Sequence, residues 1–187
     1  ETPLVIIEGM RGSPATGLAT WTEQADLRFV LHAHQGDFPR IVLSAGDAQE
    51  AFDLTMEAFN LADVYQTPVV VMLDKHICES HQTLRPFNYK NYRVNRGKFI
   101  HKKVKEYQRY ALSSDGISLR AAAGSGNHVL ANSDEHTPNG YSNETSTNRI
   151  EQMNKRMQKL ETCREISMQK PTLFGPTKAD LTIISWG

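Results

Sequence analysis

The chain has 187 residues, enough for one domain of ordinary size or for one domain and part of another. It carries 21 basic and 21 acidic residues, so no overall positive field favours nucleic acid or an anionic membrane. No window approaches the roughly 20 apolar residues of a membrane helix, and we expect neither a membrane nor a nucleic-acid partner. Two cysteines are too few for a disulfide framework, which favours a cytoplasmic location.

The first part of the chain, residues 1–83, alternates between short β-branched runs and segments of helical periodicity. This order predicts an α/β fold, a parallel sheet with flanking helices. The predicted strands are residues 3–7, 40–44 and 68–73, and the predicted helices are residues 21–34, 47–66 and 74–82.

The helix predicted over 47–66 has the strongest signals of these elements. Asp47 followed by Glu50 forms a capping box, which is typical of a helix start. Apolar and small residues recur on one face, which predicts that this face packs on the sheet. The face consists of Ala48, Ala51, Phe52, Thr55, Phe59, Ala62 and Tyr65.

The second part, residues 84–169, begins with a long irregular insertion and ends with a helix that we expect to complete the same domain. The insertion is basic and aromatic at first, then rich in Gly, Ser, Asn and Thr up to about residue 145. The helix "NRIEQMNKRMQKLETC" spaces four apolar residues in a heptad-like way, which predicts packing on a neighbour. These residues are Ile150, Met153, Met157 and Leu160.

The last part, residues 170–187, has the pattern of a linker that runs into the first strand of a second domain. The sequence opens and closes on buried-type strands, and parallel strands need neighbours on both faces. We therefore expect the natural chain to be longer at both ends.

The segment "EGMRGSPATGLAT" contains the first candidate site. Arg11 directly follows a predicted strand, and ligands of open α/β sheets bind outside the carboxyl ends of the strands. A guanidinium group binds carboxylate or phosphate with two parallel hydrogen bonds, and the hydroxyls of Thr16 and Thr20 lie nearby in sequence. The alternative is a structural arginine that caps the next helix or pairs with Glu8.

Three further groups of residues could carry chemistry. The histidines in "HAH" and "HICESH" lack the ligand spacing of a zinc site, so we interpret them as surface or helix-end residues and predict no metal site. Asp134, Glu135 and His136 in "SDEH" could bind a cation or transfer protons, although from the residues alone we favour a solvated acidic loop. The segment "VNRGKFIHKKVKEYQRY" could contact a phosphorylated cofactor, but we favour a solvated face.

Several motifs in the same order resemble one family. "RGSPATGLATWTEQADLRF" is similar to the "RGGPSTGLPT.TEQGDL" segment of the α subunits of 2-oxoacid:ferredoxin oxidoreductases, particularly the 2-oxoglutarate type. The similarity continues through "GDFPRIVLSAGDAQEAFDLTMEAFNLADVYQTPVVVMLDKHICES", "VNRGK", "EYQRYALSSDGIS", "SDEHTPNG" and "NRIEQMNKRMQKLE". It covers essentially the whole chain and implies the pyrimidine-binding domain of thiamine-diphosphate enzymes for residues 1–169, and a transketolase C-terminal-like domain after that.

The resemblance implies an enzyme that oxidatively decarboxylates a 2-oxoacid, with 2-oxoglutarate favoured, to an acyl-coenzyme A. Thiamine diphosphate with magnesium would be shared with a β subunit, which would hold the diphosphate site and a [4Fe-4S] cluster. Electrons would pass to ferredoxin, and coenzyme A would be the co-substrate. The "YPITPS" motif and the glutamate of the cofactor site should lie upstream, so no cofactor-binding residue can be named in this chain.

The resemblance also assigns roles to individual residues. Arg11, in the position of the family's arginine, would bind the substrate carboxylate, and Thr20 would shape the pocket, with Thr16 beside them. The loop that contains Asp134 and Glu135 would close over the site. The departures are Ser13 for glycine, Ala15 for serine and Ala19 for proline, and they leave the choice among 2-oxoglutarate, pyruvate and branched-chain 2-oxoacids open.

A second, non-catalytic interpretation also remains. A domain of this fold could serve as a binding or scaffolding module, with the methionine-lined helix at 146–163 docking a partner. Both interpretations predict a complex, and only thiamine-dependent turnover separates them fully.

Overall fold

The computed structural model describes residues 1–187 and confirms the predicted α/β order. Three parallel strands form the main sheet in the order β1, β3, β2, and two two-residue strands form a second, parallel ladder. No helix combines the length and the apolar character that a membrane crossing requires. The strands are β1 (Leu4–Met10), β2 (Ile41–Ser44), β3 (Pro68–Asp74), β4 (Phe99–Ile100) and β5 (Arg120–Ala121); the helices are α1 (Leu27–His32), α2 (Ala48–Tyr65), α3 (Lys75–Glu79) and α4 (Ser146–Ile166), with a 3-10 turn at Tyr89–Asn91.

The central strand β3 is covered on both faces, as its continuous apolar run predicts. Val69 and Val71 face α2, while Val70 and Met72 belong to a second cluster on the opposite face, where Val30 of α1 packs. Alternate residues of a strand point to opposite faces, so one strand contributes to both clusters. The cluster on the α2 side of the sheet is the larger one. It includes Ala58, Leu61, Ala62, Tyr65, Ile117 and Cys163.

Helix α2 begins as predicted, with a variation of the capping box. The Glu50 amide donates a hydrogen bond to the Asp47 carboxylate (2.8 Å), and the Glu50 carboxylate accepts one from the Gly46 amide (2.9 Å) rather than from the amide of Asp47. The predicted apolar face is correct for Ala62 and Tyr65 but not for Phe59, whose side chain is exposed.

The predicted face of helix α4 is correct for Leu160, which packs on the main core, but not for Ile150 and Met157. Ile150 is 60% exposed and Met157 is 37% exposed. The face that packs on the protein is polar instead, and it includes two lysines whose ammonium groups reach Glu1 and the Gln66 carbonyl. The buried residues of this helix are Asn148, Gln152, Lys155, Lys159, Thr162 and Cys163.

The strand predicted within residues 170–187 does not form. Residues 167–187 contain no helix or strand, and most of their side chains are exposed. A strand exists only where another strand takes its backbone hydrogen bonds, and no strand of this chain pairs with this segment. The segment instead returns to the sheet, where the Gln24 side-chain amide donates to the Trp186 carbonyl (3.1 Å).

Candidate functional site

Arg11 lies at the carboxyl end of β1, at an edge that all three strands of the main sheet share. Met10 pairs with Asp74 at the end of β3, and Ser44 at the end of β2 pairs with Met72. Because the strands are parallel, the segments that leave them gather at one edge, which is where open α/β sheets bind ligands. The structure therefore places Arg11 at the strand end that the sequence predicts.

The loop that follows Arg11 is a tight turn closed on itself. The Leu18 amide donates to the Gly12 carbonyl (3.0 Å), which joins the two ends of the loop. Gly17 has a φ of +49°, and a Cβ atom there would lie 2.1 Å from the Gly12 carbonyl oxygen. Only glycine fits this position, so the loop geometry depends on the "SPATG" sequence itself.

The guanidinium group of Arg11 is anchored to this loop but carries no counter-charge. Its Nε donates to the Thr16 carbonyl and its Nη2 donates to the Ala15 carbonyl, both at 3.0 Å. Nη1 makes no hydrogen bond, and no carboxylate lies within 4.0 Å. Neither structural alternative, a helix cap or a pair with Glu8, is present, and a fixed cation with a free donor remains available to an anion.

Thr16 and Thr20 share this edge with Arg11. Thr16 contacts Arg11 through its backbone carbonyl, and its side chain is exposed. Thr20 lines a polar depression beside α3. The other residues of the depression are Trp21, Thr22, Lys75, His76, Glu79 and Ser80.

The structure does not bring Asp134 and Glu135 to this edge. Glu135 lies under α4, where it accepts two hydrogen bonds from Arg156 (2.9 and 2.7 Å) and one from Arg149 (2.6 Å). Asp134 accepts a hydrogen bond from the Ser142 hydroxyl (3.1 Å) within its own loop. Both carboxylates are therefore engaged in holding the 132–145 loop.

Glu135 and Arg11 lie at opposite ends of β1. Lys155, the residue before Arg156 on α4, binds the carboxylate of Glu1, which precedes β1. Arg11, in contrast, follows that strand. Seven strand residues at about 3.3 Å each separate the two ends by roughly 20 Å. Within this chain, Glu135 and Arg11 cannot contact one small substrate.

The ion pairs of Glu135 change its titration. Burial alone would raise the pKa of this carboxyl, but the hydrogen bonds from Arg156 and Arg149 outweigh burial and lower the pKa to about 2. In the unfolded chain the pKa returns to about 4.5, so the folded state is favoured wherever the carboxylate is ionised.

We expect the Glu135→Gln variant to be less stable than the unmodified protein by about 2 kcal/mol near neutral pH. The difference should hold down to about pH 5 and shrink as the pH falls from 4.5 towards 2, because the stabilisation is lost as the folded carboxyl is protonated. Urea unfolding at a series of pH values measures this difference. Glu106→Gln is the matched control, since Glu106 is exposed and approaches Lys105 only at 3.9 Å; a pH-independent difference for Glu135→Gln would contradict the assignment.

Two features of the structure were missed by the sequence reasoning. Lys75 follows β3 directly, as Arg11 follows β1, so the strand-end rule that selects Arg11 also applies to Lys75. The polar residues of the buried face of α4 occur at helical spacing in the sequence, but their partners lie far away in the chain.

The histidines and Cys78 belong to no group of three or more His, Cys, Asp or Glu side chains that could hold a metal ion.

Comparisons with known proteins show the family of the chain. A family model described as "Pyruvate flavodoxin/ferredoxin oxidoreductase, thiamine diP-bdg" matches residues 1–161. The α subunit of a 2-oxoacid:ferredoxin oxidoreductase from Saccharolobus solfataricus is 40% identical over an alignment of 192 positions, which covers 100% of this chain and 30% of that protein. The 2-oxoglutarate synthase subunit KorA from Methanothermobacter marburgensis is 31% identical over an alignment of 192 positions, which covers 100% of this chain and 49% of that protein.

A solved structure is similar over most of the chain. The 2-oxoglutarate:ferredoxin oxidoreductase from Magnetococcus marinus, with 2-oxoglutarate, coenzyme A and succinyl-CoA bound, has a TM-score of 0.85 and 34% sequence identity. The match covers 90% of this chain and 29% of that one. The chain thus spans less than a third of the length of this structure and of the Saccharolobus relative.

Proposed function

The chain belongs to the pyruvate flavodoxin/ferredoxin oxidoreductase family, and from this membership we propose that it works as part of the α subunit of a thiamine-dependent 2-oxoacid:ferredoxin oxidoreductase. The reaction is the oxidative decarboxylation of a 2-oxoacid, with 2-oxoglutarate favoured, to an acyl-coenzyme A. Two electrons leave the substrate and pass to ferredoxin. The names of the relatives and the ligands of the Magnetococcus structure support this reaction.

The observation that carries the proposal is the uncompensated guanidinium group at the shared strand edge. Every 2-oxoacid has a carboxylate beside its reacting carbonyl. Arg11 has a free Nη1 donor and no carboxylate partner, and the loop carbonyls of Ala15 and Thr16 fix the plane of its guanidinium group. A rigid cation of this kind binds the carboxylate and orients the carbonyl, which lowers the entropic cost of the reaction.

The remaining site residues have smaller roles in this proposal. The exposed side chains of Thr16 and Thr20 contribute their hydroxyl groups to the wall of the substrate pocket. We do not extend a substrate role to Asp134 or Glu135, because their carboxylates are engaged within the chain and Glu135 lies near the other end of β1.

The cofactors divide between this chain and its partner. When bound, thiamine diphosphate would supply the nucleophilic carbon and the electron sink that decarboxylation needs. The residues of this chain form no cluster for the magnesium ion, and a [4Fe-4S] cluster needs about four thiolates whereas the chain has two cysteines. From the family resemblance, we place the diphosphate, its magnesium and the iron-sulfur cluster in a β subunit. Cys78 and Cys163 are both free, which supports a cytoplasmic location.

One observation is compatible with the alternative of a binding module. Ile150 and Met157 lie seven residues apart on α4, so they share one face, and both are exposed. A partner that covers this face would fit a scaffolding domain, although a β subunit of the enzyme would cover it equally well.

The decisive experiment is a turnover assay on the complete subunit, co-expressed with its β subunit. The proposal predicts reduction of ferredoxin that requires thiamine diphosphate, coenzyme A and a 2-oxoacid together. Omission of each component in turn is the control. A stable complex that reduces no ferredoxin with 2-oxoglutarate, pyruvate or a branched-chain 2-oxoacid would contradict the enzymatic function and favour the binding module.

A further inference from the structure

Lys75 is the first residue of α3, and its side chain is partly buried. Only 18% of the side chain is exposed, and it lines the polar depression that Thr20 also lines. Three hydroxyl groups surround the depression together with the Lys75 ammonium group. They belong to Thr20, Thr22 and Ser80. The lining is therefore rich in groups that can donate to an anion.

Lys75 pairs with one carboxylate, that of Glu79, which competes only weakly with an anionic ligand for the ammonium group. Glu79 lies one helical turn further along α3, and its side chain is 65% exposed. An ion pair of this kind between residues four apart on a helix contributes only a few tenths of a kcal/mol. A ligand carboxylate that enters the depression can replace Glu79 at little cost.

Lys75 and Arg11 follow the ends of two adjacent strands. Met10 and Asp74 are the last paired residues of β1 and β3, and each is followed directly by a basic residue. Neighbouring strands lie about 4.8 Å apart, so the backbones of the two basic residues leave the sheet side by side at the same edge. Thr20 connects the two positions, since it belongs to the segment after Arg11 and lines the depression beside Lys75.

We propose that Lys75 binds the second carboxylate of a dicarboxylic 2-oxoacid, while Arg11 binds the carboxylate next to the reacting carbonyl. This inference rests on the proposed function and makes Lys75 the residue that selects 2-oxoglutarate over monocarboxylic substrates such as pyruvate. With a monocarboxylic substrate, Lys75 stays paired with Glu79 and contributes nothing to binding. With 2-oxoglutarate, the ammonium group and the neighbouring hydroxyls bind the additional charge.

The test compares 2-oxoglutarate with pyruvate in the complete enzyme carrying Lys75→Met. Removal of the ammonium group should raise the KM for 2-oxoglutarate about ten- to a hundredfold, because the second carboxylate then has no cationic donor, with kcat/KM for pyruvate changed by less than about twofold. Lys75→Arg should recover part of the affinity, because it keeps the charge. Lys102→Met is the matched control, since Lys102 is an exposed lysine remote in sequence from the depression, and it should leave both substrates unaffected.

The outcomes separate the inference from the proposed function. An unmodified enzyme that turns over no 2-oxoacid overturns the proposed function itself. An active enzyme in which Lys75→Met affects neither substrate, or both equally, overturns only the assignment of Lys75. A raised KM for coenzyme A with an unchanged KM for 2-oxoglutarate also overturns it, because the depression would then bind a phosphate group of the co-substrate.

Discussion

Replacement of Arg11 by Ala in the complete enzyme is expected to lower kcat/KM for the 2-oxoacid about a hundredfold or more. The guanidinium group is the only charged group predicted to meet the carboxylate beside the reacting carbonyl, and its removal costs both binding and orientation. Decreases of this size are typical when a preorganised donor is removed from a charged reaction centre. Steady-state kinetics over a range of substrate concentrations measure the change.

The same substitution removes two hydrogen bonds to the loop, so its controls must separate binding from loop stability. Arg11→Lys keeps the positive charge but loses the planar fork, and should recover only part of the activity. Arg28→Ala removes an exposed arginine of α1 and should leave kcat/KM unchanged. If Arg11→Ala retains the rate of the unmodified enzyme, the assignment of Arg11 to the substrate carboxylate is wrong.

The strands could be predicted from the sequence because their signals are local. The β-branched run that forms β3 predicts a buried strand wherever it occurs, and the parallel order follows from the alternation with helices. The helix predicted over 21–34 is too long, since α1 is only Leu27–His32. The first residues of the predicted helix belong to the segment that leads out of the Arg11 loop, and no side-chain hydrogen bond caps the start of α1.

The packed face of α4 could not be predicted from its apolar periodicity. Lys159 is 1% exposed, which is unusual for a lysine. Its charge is balanced by Glu1, and its ammonium group also donates to the Gln66 carbonyl, 93 residues away. Burial of a charge depends on such distant partners, and a helical wheel contains no information about them.

The candidate site, like the fold, could be predicted from the sequence only in part. Arg11 could be selected because a strand-end rule links sequence position to a place in the fold, and Thr20 because of the family resemblance. The sequence does not show that Glu135 is paired, because its partners, Arg149 and Arg156, come 14 and 21 residues later, on a helix whose orientation the sequence leaves open. The substrate roles of Arg11, Thr16 and Thr20 remain predictions until the variants are measured.

The packing of the 111–118 segment on α4 depends on a glycine. Gly116 has a φ of +74°, and a Cβ atom there would lie 2.5 Å from the Lys155 carbonyl oxygen and 2.9 Å from the Lys159 amide nitrogen. Both atoms belong to the backbone of α4, so no side chain can move aside. The neighbouring Ile117 is part of the main core, which couples this contact to the packing of the sheet.

We expect Gly116→Ala to lower the free energy of unfolding by about 3 kcal/mol, measured by urea unfolding of the purified complete subunit. The left-handed backbone conformation costs a residue with a Cβ atom about 1 kcal/mol, and overpacking against a fixed backbone adds about 1 to 3 kcal/mol. Gly124→Ala is the matched control, because Gly124 has nearly the same φ of +78° and nothing within 4 Å of the added Cβ. It should show only the conformational part of the destabilisation, about 1 kcal/mol. Equal destabilisation in the two variants would mean that α4 moves away from residue 116 freely, and that the buried polar face of α4 does not fix its position.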